Sequence, residues 1–220
     1  MENRVYIINT DLLLDPETYT FWYEKMPRYR KNKIDSYKPD SSKRLSLGAG
    51  IALDKALGDA KITDYEVVLN EHGKPYLRGC EDIFFNLSHS GSMAICAISD
   101  RELGADIQQQ EAFSDSLIKR IFDEGEKIYI EGIYREKEEK DRAYTKLWTI
   151  KESVMKYYSN GLSMDPIKIH VDLGEKTKVL CSEPDCGQLD FFNQSFGDVQ
   201  LTICSKYNNF FKVIEFIKKI

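Results

Sequence analysis

The chain opens on a short apolar run, Val5 to Asn9, that predicts a strand, and then changes period. Asp15 to Met26 predicts a short helix with Pro16 near its start, where a missing amide proton costs nothing. In LSLGAGIALDKAL the pairs Leu47/Ile51 and Leu53/Leu57 stand four apart and predict an amphipathic helix. Alternation returns at Tyr65 to Leu69, and His72-Gly73-Lys74-Pro75 ends it as a turn. Three short strands follow, Phe84 to Ser88, Met93 to Ser99 and Gly104 to Gln108, joined by Gly or Asp turns. Glu124 to Tyr134 is helical, and the balanced charge run REKEEKDR (135–142) reads as a solvated face leading into another helix. That helix, around KLWTIKESVMKYY, sets Trp148, Glu152, Met155 and Lys156 on neighbouring faces. Beyond Gly161, strands are predicted at Ile167–Leu173, Gln188–Phe192, Val199–Ser205 and Phe210–Phe216.

One internal echo bears on the architecture. SGSMAICAIS (90–99) and GDVQLTICSK (197–206) each place a turn before an alternating strand with Ile-Cys at its centre. Each closes a run of roughly 100 residues in which helices precede strands. Two similar α+β halves would explain the echo, and chance would explain one short match equally well.

Composition adds limits. At 220 residues the chain fits one large domain or two small ones, and it is long enough to fold without metal or disulfides. Its 31 basic and 36 acidic residues leave a net charge of −5, without the excess positive charge of a general nucleic-acid binder. The charge is uneven. Between Arg28 and Arg44 lie seven basic residues and two acids, a local +5 that leaves −10 elsewhere and suggests a held anion. The five cysteines form no disulfide framework, and Cys181-x4-Cys186 lacks partners at zinc-ligand spacing, so reduced thiols are expected. The N-terminus is a poor signal peptide and no run approaches the ~18 apolar residues of a membrane span, which points to the cytoplasm.

Several residues suit chemistry at one site. Asp106 and Gln108 stand two apart on a strand and share a face. Glu152 lies on a helix with Lys151 beside it and Lys156 one turn on. A carboxylate from each element would hold a hard cation, and neighbouring lysines its phosphate ligand, although spacing alone leaves these as ordinary solvated charges too. In NLSHS, adjacent strand residues point to opposite faces, which argues against Ser88 or Ser90 as a nucleophile served by His89. The segment suits phosphate holding, or His89 is a structural residue. GKP (73–75) presents Lys74 on a tight turn, and is too short for a P-loop.

In order along the chain, GKP (73–75), FNLSHSG (85–91), GADIQ (104–108) and LWTIKESVMKYYSNGL (147–162), with Arg44 in KRLSLG upstream, resemble the motifs of the Sfp-type 4′-phosphopantetheinyl transferases. The resemblance implies an α+β fold of two similar halves in pseudo-twofold relation, 1–103 and 104–220, with the active site in the cleft between them. The implied activity is that of a holo-[acyl-carrier-protein] synthase type transferase. Such an enzyme moves the 4′-phosphopantetheine arm of coenzyme A onto a serine of an acyl or peptidyl carrier protein and releases adenosine 3′,5′-bisphosphate. By resemblance, Asp106 and Glu152 hold Mg²⁺ on the pyrophosphate, Glu152 is also the candidate base for the carrier serine, and Lys156 contacts the pyrophosphate. Arg44, Ser88 and His89 fall at the adenosine and its 3′-phosphate, Lys74 near the adenine, and Arg28 and Lys31 in an upstream basic segment with an anion-binding tendency.

One position departs from the family pattern. An acid commonly stands two residues after the first aspartate and gives a third metal ligand. Here it is Gln108, whose amide oxygen can ligate Mg²⁺ but brings no charge. A carrier would meet cations and apolar anchors around Ile118–Tyr134, where Lys119, Arg120 and Lys127 alternate with Ile121, Phe122 and Ile128; the same residues would equally pack a core. Two other readings stand beside the transferase: a non-catalytic module binding coenzyme A or a polyanion, and a single-stranded nucleic-acid binder using 28–44. The transferase reading expects a monomer that engages neither nucleic acid nor membrane.

Overall fold

The computed structural model describes residues 3–71, 73–158, 164–174, 177–181, 187–206 and 213–218. His72, Cys186, the Asn160-Gly161-Leu162 motif and the start of the last expected strand lie outside these residues. The chain is mixed α and β and divides into two compact units. Among the described residues no helix is long and apolar enough to cross a membrane.

The first unit comprises the chain up to Val68, Pro75–Asp100 and the last strand. It starts with β1 (Arg4–Asn9), whose four consecutive buried residues lie in the middle of a sheet. Helices α1 (Pro16–Lys25), α2 (Arg28–Asp35) and α3 (Asp40–Asp59) follow, then β2 (Glu66–Leu69), β3 (Pro75–Arg78), β4 (Phe84–Ser90) and β5 (Met93–Ser99). Asp15 caps α1 by accepting the Thr18 amide at 2.8 Å, just before the proline the sequence placed there. β5 pairs antiparallel with β1 and with β4, and β11 (Val213–Ile217) joins β1 in parallel. α3 lies across this sheet and buries Leu47, Ile51 and Leu57 against Tyr6, Ile8, Ala94 and Cys96. At about 1.5–3 kcal/mol for each large apolar side chain removed from water, this contact is a large stabilising contribution.

The second unit holds Leu69–Lys74 and the chain from Arg101 through β10. Its elements are β6 (Gly104–Gln109), α4 (Asp115–Ile121), α5 (Glu124–Ile133), α6 (Lys137–Tyr157), β7 (Ile169–Asp172), β8 (Lys178–Cys181), β9 (Asp190–Phe196) and β10 (Val199–Ser205). The sheet order is β6-β10-β9, antiparallel throughout. α6 packs on β6 and β10, burying Leu147, Ile150 and Val154 among Phe122, Ile130, Ile169 and Val171. The charge run at 135–142 leads into α6 and forms its mostly exposed first turn.

Both units therefore run strand, three helices, short hairpin, longer hairpin, with the first strand antiparallel to the last strand of the longer hairpin. The echoed segments are β5 and β10, each entered by a two-residue turn with a left-handed glycine, Gly91 (φ 59°) and Gly197 (φ 61°). Glycine at the first turn position suits a tight hairpin, and each echo carries one there, Gly91 and Gly197.

The basic stretch before Arg44 contains a separate helix, α2, whose Ile34 and Arg30 are buried. One expectation changes. Cys80, Cys96 and Cys204 are free thiols as expected, whereas Cys181 is disulfide-bonded.

Candidate functional site

β6 and α6 meet where β6 has no side chain. A methyl group at Gly104 would stand 1.9 Å from the Ser153 carbonyl oxygen and 2.6 Å from the Tyr157 amide nitrogen. Only glycine lets the helix come this close. Ser153 and Tyr157 each follow a candidate site residue, and Asp106 lies two residues beyond Gly104 on the same face. The close approach thus carries Glu152 and Lys156 onto Asp106.

Asp106 is 1% exposed. Lys156 Nζ donates to its Oδ1 at 2.5 Å and lies 3.6 Å from Glu152 Oε2. Burial raises the Glu152 pKa to about 8, the Asp106 charge adds to the rise, and Lys156 only partly offsets it. Burial disfavours the Lys156 ammonium, yet Asp106 and Glu152 outweigh it and raise its pKa. Two carboxyls thus share one lysine, and one of them resists ionisation. Such a hard-oxygen pair fits a divalent cation, whose charge would offset the burial and the Asp106 repulsion that together hold the Glu152 proton.

The other sequence candidates fall in different places. Gln108 shares the Asp106 face and donates from Nε2 to Glu111 Oε1 at 2.8 Å. Lys74 Nζ reaches the Tyr157 carbonyl at 3.3 Å, so it ties down the end of α6, and burial lowers its pKa. In the first unit Arg44 is half-buried on α3, and on β4 Ser88 is buried while His89 is exposed. The two β4 side chains diverge as strand geometry requires. Arg28 is exposed, and Lys31 pairs with Glu24 at 2.8 Å.

Lys151 corrects an expectation. As a neighbour of Glu152 it was a candidate phosphate holder, but one residue rotates about 100° around a helix and points it into the core. Fully buried, it donates to Glu126 Oε2 at 2.6 Å and to the Ile121 and Pro166 carbonyls at 2.9 Å each. Glu126 completes a capping box with Asp123 at the start of α5 and accepts the Val171 amide at 2.9 Å. Asp123 Oδ2 in turn bonds His170 Nδ1 at 2.6 Å. Asp123, Glu126 and His170 stand close enough to suggest a metal centre, but their carboxylate oxygens already hold these partners. The cluster fastens α4, α5 and β7 to α6. Sequence reasoning missed it because its members are spread from 121 to 171.

The expected docking residues also divide. Ile121 and Phe122 are core, 6% and 1% exposed, whereas Ile128, Tyr129 and Ile133 on α5 face solvent. Lys127 is engaged by Glu124 at 2.6 Å.

Comparison with known proteins agrees with the motifs. Residues 102–204 match the family model described as the 4′-phosphopantetheinyl transferase superfamily. The chain is 32% identical over 123 residues to 4′-phosphopantetheinyl transferase Sfp of Bacillus subtilis (strain 168), covering 56% of this chain and 54% of that one. Another 4′-phosphopantetheinyl transferase of Bacillus subtilis is 29% identical, covering 67% of this chain and 66% of its own length. 4′-Phosphopantetheinyl transferase HetI of Nostoc sp. (strain PCC 7120 / SAG 25.82 / UTEX 2576) is 32% identical, covering 65% and 63%. The chain thus spans between 54% and 66% of the length of these relatives. The resemblance to the Sfp-type family is borne out over this span.

Proposed function

We propose that the protein transfers the 4′-phosphopantetheine arm of coenzyme A to a serine of an acyl or peptidyl carrier protein, releasing adenosine 3′,5′-bisphosphate. It acts as a holo-[acyl-carrier-protein] synthase type enzyme and a cytoplasmic monomer. In this reading the chain is two similar halves, 1–103 and 104–220, except that the last strand, Val213–Ile217, lies in the sheet of the first. The observation that carries the reading is the convergence of Asp106, Glu152 and Lys156 in the region matching the transferase family.

Asp106, Glu152 and the Gln108 oxygen would hold Mg²⁺, which when bound neutralises pyrophosphate charge and polarises the phosphorus. The chain's own groups do the rest. Lys156, kept protonated by Asp106 and Glu152, offers a fixed positive charge for the pyrophosphate and the departing bisphosphate. Glu152 is the candidate acceptor of the carrier serine proton, directly or through water. Lys74, Arg44, Ser88 and His89 would hold the adenosine end with its 3′-phosphate, and Arg28 and Lys31 add positive charge nearby. The exposed apolar residues of α5, Ile128, Tyr129 and Ile133, with Lys119 and Arg120, offer a carrier mixed apolar and basic contact.

The test is release of adenosine 3′,5′-bisphosphate from coenzyme A, followed by chromatography, with Mg²⁺ and an apo carrier present. Asp106→Ala and Glu152→Ala should each abolish release while the circular dichroism spectrum is retained. Near-normal turnover in either variant would refute the assigned roles.

A further inference from the structure

An amide at position 108 poses an orientation problem that an acid would not. The two ends of the side chain have nearly the same shape, but only the oxygen can face a cation. Its partner decides which end goes where. Gln108 Nε2 donates to Glu111 Oε1 at 2.8 Å, and reversing the amide would set two oxygens against each other. Glu111 lies three residues on, just beyond the end of β6, and is exposed.

The neighbouring polar groups of the same sheet face are turned elsewhere. Thr202, the cross-strand partner of Asp106, donates to Asn193 Oδ1 at 2.8 Å. Gln200, the partner of Gln108, accepts the Ser195 hydroxyl at 2.7 Å. The bond that orients Gln108 is therefore the one it donates to Glu111.

We propose that Glu111 is a positioning residue of the cation site. By holding the Gln108 nitrogen it turns the amide oxygen to the cation. The inference rests on the cation reading of Asp106 and Glu152. Groups that orient metal ligands typically account for about 10–100-fold in metal affinity, and an exposed one belongs at the lower end.

The test uses Mn²⁺ as the probe, with coenzyme A present and free Mn²⁺ read by electron paramagnetic resonance on the full chain. Glu111→Ala should weaken Mn²⁺ binding roughly tenfold, with an unchanged melting temperature because the residue is exposed. In a Gln108→Glu background the same substitution should cost nothing, since no amide remains to be oriented. An unchanged affinity for Glu111→Ala alone overturns the inference, and so does an equal loss in both backgrounds, which would make Glu111 only a distant charge. Asp106→Asn separates the two levels. If it leaves Mn²⁺ affinity intact, the cation reading fails; if it weakens binding while Glu111→Ala does not, only the present inference fails.

Discussion

Replacing Glu152 with glutamine should make the metal-free protein more stable at neutral pH while destroying its activity. The folded state holds the Glu152 pKa at about 8, against an ordinary value of 4.5. A raised carboxyl pKa means that the folded chain keeps a proton the unfolded chain gives up. Stability from this group is therefore fully present below pH 4.5, is lost as pH rises from 4.5 toward 8, and is level above that. Linkage over this interval gives a penalty of about 1 kcal/mol at pH 5 and roughly 4 kcal/mol at pH 7.5. The side chain is 24% exposed, so about 2–3 kcal/mol is the safer expectation for the difference between the two pH values. Urea unfolding in a chelator at pH 5.0, 6.5, 7.5 and 8.5 would measure it. The wild type should lose on the order of 1 M in its urea midpoint between pH 5.0 and 7.5, and Glu152→Gln should lose much less. Parallel pH profiles for the two proteins would refute the reasoning, because Glu152 would then titrate normally in the fold.

Two further substitutions probe the scaffold beneath the site. Lys151→Met leaves the Glu126 carboxylate buried without its cation and should cost about 3–5 kcal/mol by denaturant unfolding; a loss below about 1 kcal/mol would mean that the pair is not buried as described. Gly104→Ala forces a methyl group into the backbone of α6 and should lower stability by at least about 1–3 kcal/mol. An unchanged melting temperature there would contradict the close helix–strand contact.

What could be read from the sequence follows from how local each signal is. Strands β5 and β10 and the long helices were legible because period and turn glycines are local properties of a few residues. Boundaries were less so. β9 runs from Asp190 to Phe196 instead of 188–192, since only pairing with β10 fixes its end. α3 begins at Asp40, behind Pro39, well before its apolar pairs start. In the site, Asp106, Glu152 and Lys156 were found by their motifs, and the contact between them depends on Gly104, whose role appears only once α6 lies against β6. Lys151 and Lys156 look alike in sequence, yet one is buried on Glu126 and the other stands at the carboxylate pair. Glu126 lies 25 residues from Lys151, beyond any local pattern. Glu111 carried no signal at all, because its meaning depends on which end of the Gln108 amide it holds.

The most direct test of the central claim is the intact mass of the carrier. Apo acyl and peptidyl carrier proteins incubated with the protein, coenzyme A and Mg²⁺ should gain the mass of one phosphopantetheine arm, and none when Mg²⁺ is chelated or when Asp106→Ala replaces the wild type. No gain across several carriers of both kinds, with the protein folded and Mg²⁺ present, would contradict the transferase account.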